Sequence, residues 1–314
     1  MNRRFFLWLT LPILLLSTGC PSGGGGDGGF GVGGTGVAYV VNTGPNEIST
    51  YTTDVVGALR DAGTVALADA PSSIAVSSDS AFAFVGTNDG VYAFRVNLGT
   101  GGLSSVSGSP FSAGNSFTAL TVSPNNRALY AANGNGTVVA YSINAATGSL
   151  TSIDIENVGT SPSGVVVSPN GQFLYVSNQG SNNVSAFRVD GTTGALTFEE
   201  NKSAGTSPSG VAALTSGSSS FLFVSNQTSN NVSAYTINGT TGALTGIGAS
   251  VAAGTAPSGI TIEPDGQFLY VSNSGGGGNV SGYRITAGTG TLVLLGAVFP
   301  AGTSPRGIAT PGRP

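Results

Sequence analysis

The 314-residue chain carries 10 Lys and Arg against 14 Asp and Glu, so only 8% of it is charged, while 51 residues are glycine. That composition excludes an all-α protein, because exposed helix faces need many Glu, Lys and Arg, and Gly, Ser, Thr and Asn disfavour helix interiors. There is no histidine, which removes His-dependent triads, HExxH zinc sites and imidazole acid/base chemistry, and the net charge of −4 repels phosphate backbones, so nucleic acid is not an expected partner.

Residues 1–19 read as a signal peptide: Arg3 and Arg4 precede an apolar stretch from Phe5 to Leu16, which ends on small residues before Cys20. That stretch is shorter than the roughly 20 residues needed to span a bilayer. Ser17-Thr18-Gly19-Cys20 resembles the bacterial lipobox, with Ser17 where the motif prefers Leu. The resemblance implies cleavage before Cys20 and lipidation of its thiol and amine. Cys20 is the sole cysteine, so it has no intramolecular disulfide partner, and three acyl chains exceed the two signals that stable anchoring requires. Loss of Arg3 and Arg4 with the leader leaves 8 basic against 14 acidic residues, a net charge of −6. Pro21 is not the Asp associated with inner-membrane retention, so an outer-membrane address is expected, with the folded domain outside the cytoplasm. Residues 20–36, the lipidated cysteine and a Gly-rich run, form a flexible tether spanning roughly 20 to 24 Å. Gly31 to Gly36 match GxGxxG, but no strand precedes them and no helix follows, so a dinucleotide site lacks its context.

From residue 37 to residue 310 the chain is periodic. VAYVVN, AFAFVGT, ALYAAN, FLYVSN, FLFVSN and FLYVSN place an aromatic at Tyr39, Phe84, Tyr130, Tyr175, Phe223 and Tyr270, at intervals of 45 to 48 residues. A second aromatic follows in phase at Tyr51, Phe94, Tyr141, Phe187, Tyr235 and Tyr283. Within one unit, residues 162–201, turns at Pro169-Asn170-Gly171, Ser181-Asn182-Asn183 and Gly191-Thr192-Thr193-Gly194 separate four short strands, A to D. Four antiparallel strands per 40 to 50 residues mark a β-propeller blade. Separate β-sandwiches would need about 100 residues per repeat.

The first unit begins at strand B, and the chain ends on an unpaired strand A, Ser304 to Thr310. The expectation is an all-β, six-bladed propeller over 37–310, closed by that C-terminal strand and followed by a tail at 311–314. A seven-bladed alternative would have to hide a blade within residues 52 to 118.

The LYVSN, SNNVSAF, TTGALT and GTSPSG segments resemble the β-propeller lactonase family and the related surface-layer propellers with Tyr-Val-Thr-Asn repeats. The family's characterised enzymes hydrolyse sugar lactones or interconvert lactones and acids. They are mostly seven-bladed and place Glu, Arg and often His at one mouth of the channel. Six repeats without His favour a lipid-anchored, monomeric, non-catalytic module that binds an envelope protein or a small polar ligand at that mouth. The alternative is a 6-phosphogluconolactonase-like hydrolase that needs no metal. The chain is not a WD40 propeller, since Trp8, its one tryptophan, lies in the leader.

The Asn that ends strand B, at Asn42, Asn133, Asn178, Asn226 and Asn273, reads as a turn residue bonding nearby backbone. Arg95, Arg188 and Arg284 follow the strand-C aromatics and read as solvated outer positions. Neither a calcium loop nor a zinc pattern is present, no cofactor is expected, and Ser161 and Ser163 lack the histidine base of a usual triad. The residue after the proline that starts strand A is Ser72, Ser163, Ser209 and Ser258 but Arg306 in the last copy, with Phe117 taken as its counterpart in the unit lacking that proline. Glu47 and Asp89 occupy nearby B-to-C loops. Arg306, Glu47 and Asp89 are therefore the candidate site: one cation to grip a carbonyl or carboxylate and two carboxylates to orient it or activate water.

Overall fold

The computed structural model describes residues 13–17 by their backbone, and residues 36–53, 58–112, 116–296 and 298–308. Cys20, the tether up to Thr35, and the C-terminal stretch 309–314 lie outside the described residues. Every regular element among those described is a β-strand.

Six antiparallel sheets form the blades of a ring. Blade one holds β1 (Ile13–Ser17), β2 (Val37–Asn42), β3 (Glu47–Thr53) and β4 (Leu59–Ala66); blade two holds β5 (Ser73–Val76), β6 (Phe82–Gly86), β7 (Val91–Val96) and β8 (Leu103–Ser105). Blade three comprises β9 (Phe117–Val122), β10 (Ala128–Asn133), β11 (Thr137–Ile143) and β12 (Leu150–Asn157); blade four comprises β13 (Pro162–Val167), β14 (Phe173–Asn178), β15 (Asn183–Val189) and β16 (Leu196–Ser203). Blade five is β17 (Pro208–Ser216), β18 (Ser219–Asn226), β19 (Asn231–Ile237) and β20 (Leu244–Gly246), with β21 (Val251–Ala252) added to β19. Blade six repeats this with β22 (Pro257–Ile262), β23 (Phe268–Asn273), β24 (Asn279–Ile285), β25 (Leu292–Leu294) and β26 (Phe299–Pro300) on β24. The described residues of the interval 52–118 include β4 to β8 and no seventh blade.

Blades stack because their central strands are apolar on both faces. In β14, Leu174 and Val176 join a cluster with Tyr130 and Val138 of blade three, while Phe173 and Tyr175 join Leu222 and Val224 of blade five. A strand buried on both faces needs no polar alternation, which is why FLYVSN is buried throughout. Glycines keep neighbouring blades close. A Cβ on Gly242 would lie 2.3 Å from the Phe173 ring of the preceding blade, and Gly290 bears the same relation to Phe221.

Strand-B asparagines are structural, through side chains rather than through the backbone alone. Asn178 donates to Asn183 Oδ1 at 2.7 Å and Ser185 Oγ at 2.9 Å, and Asn226 and Asn273 repeat the pattern on the next two blades. Arg95 and Arg188 lie on the outside, as expected, but they bind adjacent blades together. Arg188 Nη2 donates to the Thr240 carbonyl of blade five at 2.9 Å, and its guanidinium lies 5.4 Å from the centre of the Phe173 ring. Arg95 does the same toward Ala146 and over Phe82.

The closing strand differs from the expectation. The edge of β2 is paired by β1, with Ile13 opposite Val41 and Ser17 opposite Val37, and residues 304–308 form no strand. An open sheet edge is satisfied by any extended segment that offers backbone donors and acceptors. The C-terminal segment nevertheless makes the turn seen in the other blades. Ser304 has φ 54°, beside 52° at Ser161, 55° at Ser207 and 53° at Ala256.

Candidate functional site

The face that carries the starts of the inner strands also carries the loops between the second and third strands of each blade. On it, hydroxyls link each inner strand to the next. Thr118 Oγ1 donates to the Pro162 carbonyl at 2.8 Å, Ser163 to Pro208 at 2.8 Å, Ser209 to Pro257 at 2.9 Å and Ser258 to Pro305 at 2.8 Å. Ser72 donates likewise to Phe117 O. The resulting girdle corrects the alignment of blade three: Phe117 supplies the carbonyl that proline supplies elsewhere, so Thr118 is the counterpart of the serines. A hydroxyl thus stands at five of these positions and Arg306 at the sixth.

Arg306 is exposed beside the buried Pro305, and among the described residues it makes no ion pair or hydrogen bond. Glu47 opens β3 opposite Asn42 and accepts a long 3.5 Å hydrogen bond from Asn42 Nδ2. It thereby stands in the place of Asn183, Asn231 and Asn279 in the later blades. Asp89 is exposed in the loop between β6 and β7, where its backbone NH donates to Thr87 Oγ1 at 3.2 Å. Strand direction puts all three on one face, but no hydrogen bond or ion pair joins Arg306 to either carboxylate.

Sequence reasoning missed Asp69. It precedes β5 on the same face, one Oδ accepts from the Ala70 NH at 2.8 Å, and the other is buried without a partner among the described residues. Burial raises the Tyr92 pKa, and the negative charges of Asp89 and Asp69 add to that rise, so the three groups share one electrostatic neighbourhood. The signal was present, since Asp69 replaces the threonine of the repeat at Thr160, Thr206, Thr255 and Thr303.

Among the described residues no group of three His, Cys, Asp or Glu side chains could hold a metal ion. Two open cavities of about 390 and 400 Å³ lie on the outer strands around Arg95, lined mainly by serine and threonine in the first and by Val96, Asn97 and Leu98 in the second. They are remote in the fold from the inner-strand face.

The family model described as "Lactonase, 7-bladed beta-propeller" matches residues 37–150, 104–213, 156–257 and 251–312, the whole ring from β2 onward. The chain belongs to this lactonase family. Its six-bladed ring is one blade short of the number in the family's description. No curated protein sequence matches it. This lactonase-family propeller is similar in structure to a candidate 6-phosphogluconolactonase of Bacteroides fragilis, with TM-score 0.74 and 20% identity over 89% of this chain and 85% of the other. A second candidate 6-phosphogluconolactonase, from Bacteroides uniformis, gives 0.73 and 20% over 86% and 84%. The periplasmic gluconolactonase of Pseudomonas aeruginosa gives 0.67 and 19% over 94% and 85%. At such identities the likeness establishes the fold. Membership of a lactonase family overturns the expectation of a non-catalytic scaffold, which rested on the missing histidine and the repeat count; neither feature excludes carboxylate and arginine chemistry.

Proposed function

We propose that this protein is a lactone hydrolase of the cell envelope that opens sugar lactones at the inner-strand face, without a histidine. The family match across the ring carries this reading, and the names of its structural neighbours supply the substrate class. Arg306 grips the lactone carbonyl oxygen or an anionic substituent through its planar fork. Asp69 or Asp89 takes a proton from water as the water oxygen bonds to the carbonyl carbon. The tetrahedral oxyanion, held by Arg306, collapses with cleavage of the ring C–O bond, and the departing alkoxide recovers the proton from the same carboxyl group. The product is the open hydroxy acid. Glu47 supports the mouth through Asn42. The lipobox at Ser17 to Cys20 supports attachment to the membrane by a lipidated Cys20.

The deciding experiment is a pH-stat assay with glucono-δ-lactone and its 6-phosphate. The proposal expects ring opening above the spontaneous rate that scales with protein concentration. A rate equal to the spontaneous one across a panel of sugar lactones would overturn it.

A further inference from the structure

Carboxylates tie the outer strands of blades three, four and five together, and the seam between blades two and three lacks them. The fourth residue after the leucine that opens the outer strand is Asp154 in blade three and Glu200 in blade four. Each accepts from the backbone of the following blade: Asp154 Oδ2 from the Leu196 N–H at 2.8 Å, and Glu200 Oε1 from the Leu244 N–H at 2.6 Å. In blade two the same position is Ser107, and the matching donor on blade three is the Leu150 N–H. Leu150 lies opposite Ile143, whose own N–H turns to the other side and donates to the Arg127 carbonyl beside β10. The Leu150 N–H therefore points away from β11, and no side chain among the described residues accepts it.

The same seam keeps a cation without its counter-ion. Arg95 and Arg188 hold one position: each donates Nη2 to a turn carbonyl of the next blade, Ala146 or Thr240, and lies over a phenylalanine ring of its own blade. Arg188 Nε also donates to Glu199 at 2.8 Å. Strand pairing aligns Ser104 with Thr197 and Ser105 with Phe198, so Val106 is the counterpart of Glu199, and it is buried in the core. Arg95 has no ion pair among the described residues. Blade five also lacks both carboxylates, with Ile247 and Gly248 in their places, but there Thr236 replaces the arginine. Every one of these blade-two side chains is smaller than its blade-four counterpart. An open cavity of about 390 Å³ lies beside them, lined by Arg95 and the hydroxyls of Ser104, Ser105, Ser107, Thr147 and Ser149. A cation, a backbone donor and a set of hydroxyls around a space of small-ligand size fit a carboxylate on a polyhydroxylated body. We propose that this outer seam binds a sugar acid, whose carboxylate takes at Arg95 the place that Glu199 takes at Arg188. Its hydroxyls meet the serines, Thr147 and the Leu150 N–H. The site is independent of the hydrolase reading and shares no residue with the inner-strand face.

Hydrogen–deuterium exchange on the full chain titrated with D-glucuronate tests it, because the readout reports where the sugar sits. Glucuronate should slow exchange in peptides covering residues 103–107 and 146–151, whereas glucose and acetate at the same concentration should not. Arg95→Thr, which borrows the residue of blade five, should weaken binding tenfold or more, as loss of a hydrogen bond to a charged group does. Ser107→Asp gives the seam the carboxylate of blade three and leaves the Arg95 contacts to Ala146 and Phe82 in place. It should abolish protection by glucuronate while holding or raising the melting temperature, and a thermal melt checks that both variants fold. No protection by glucuronate, equal protection by glucose or acetate, or protection unaltered in Ser107→Asp overturns the proposal. Protection confined to peptides that contain Asp69 and Asp89 also overturns it and assigns the sugar acid to the inner-strand face.

Discussion

The Ser258 hydroxyl donates to the Pro305 carbonyl at 2.8 Å, the same link that Ser163 makes to Pro208 and Ser209 to Pro257. The last described residues of the chain therefore occupy an inner position of the ring even though they form no strand. Deleting residues 304–314 leaves the Ser258 hydroxyl without this acceptor and removes the buried Pro305. Because Ser258 keeps Ser272 O and Oγ as partners, the lost bond itself is worth about 0.5 to 1.5 kcal/mol, to which the lost burial of Pro305 adds, and the loss is seen as a lower midpoint in urea unfolding. An unchanged midpoint would show that the ring does not depend on this segment.

Arg188 joins blade four to blade five by its hydrogen bond to the Thr240 carbonyl, and it is held on its own blade by the Phe173 ring and an ion pair to Glu199. Because the Arg188 side chain is 45% exposed, the ion pair itself contributes little, about 0 to 1 kcal/mol. Arg188→Met should cost more than Glu199→Gln, and raising the salt concentration should weaken only the smaller effect. Equal losses in denaturant melts would mean that the ion pair, rather than the bond to Thr240, carries the contact.

Two buried tyrosines should respond differently to loss of the hydroxyl. Tyr283 donates to the Ala252 carbonyl at 2.7 Å, whereas the Tyr39 hydroxyl is buried without a partner among the described residues. Tyr283→Phe should cost about 1 kcal/mol and Tyr39→Phe nothing or less. Burial pushes both phenols up to about 12. The folded state holds these protons more tightly than the unfolded chain, so their contribution is complete below pH 10 and is lost as the pH rises from 10 to 12. Melting temperatures recorded across that window should fall, and less steeply for the Tyr39→Phe variant.

Arg306 replaces a hydroxyl that the girdle uses at five other positions, so Arg306→Ser should leave the stability within about 0.5 kcal/mol of the parent, as an exposed substitution does. Lactone turnover should fall tenfold or more, about the 1.4 kcal/mol of one modest transition-state contact. A strongly lowered melting temperature would make Arg306 a structural residue instead.

Cys20→Ser should move the protein from the membrane fraction to the soluble fraction, because it removes the thiol that would carry the lipid. Continued association with membranes after a high-salt wash would refute lipidation at Cys20.

The sequence by itself determined the strand phase, the blade count and the lactonase resemblance, since a repeat of 45 to 48 residues with two aromatics in phase fits a stack of four-stranded units and little else. It also carries the departures that matter, Arg306 among the serines and Asp69 among the threonines. Tertiary structure decided what period cannot. Pairing at the edge of β2 depends on which extended segment reaches it, and Ile13–Ser17 rather than residues 304–308 is bonded there. The serine girdle and the reach of Arg188 to Thr240 join residues on different blades, and Tyr92, Asp89 and Asp69 meet across separate strands of blade two. Such contacts are set by how the blades stack, a relation that no local pattern of residues encodes.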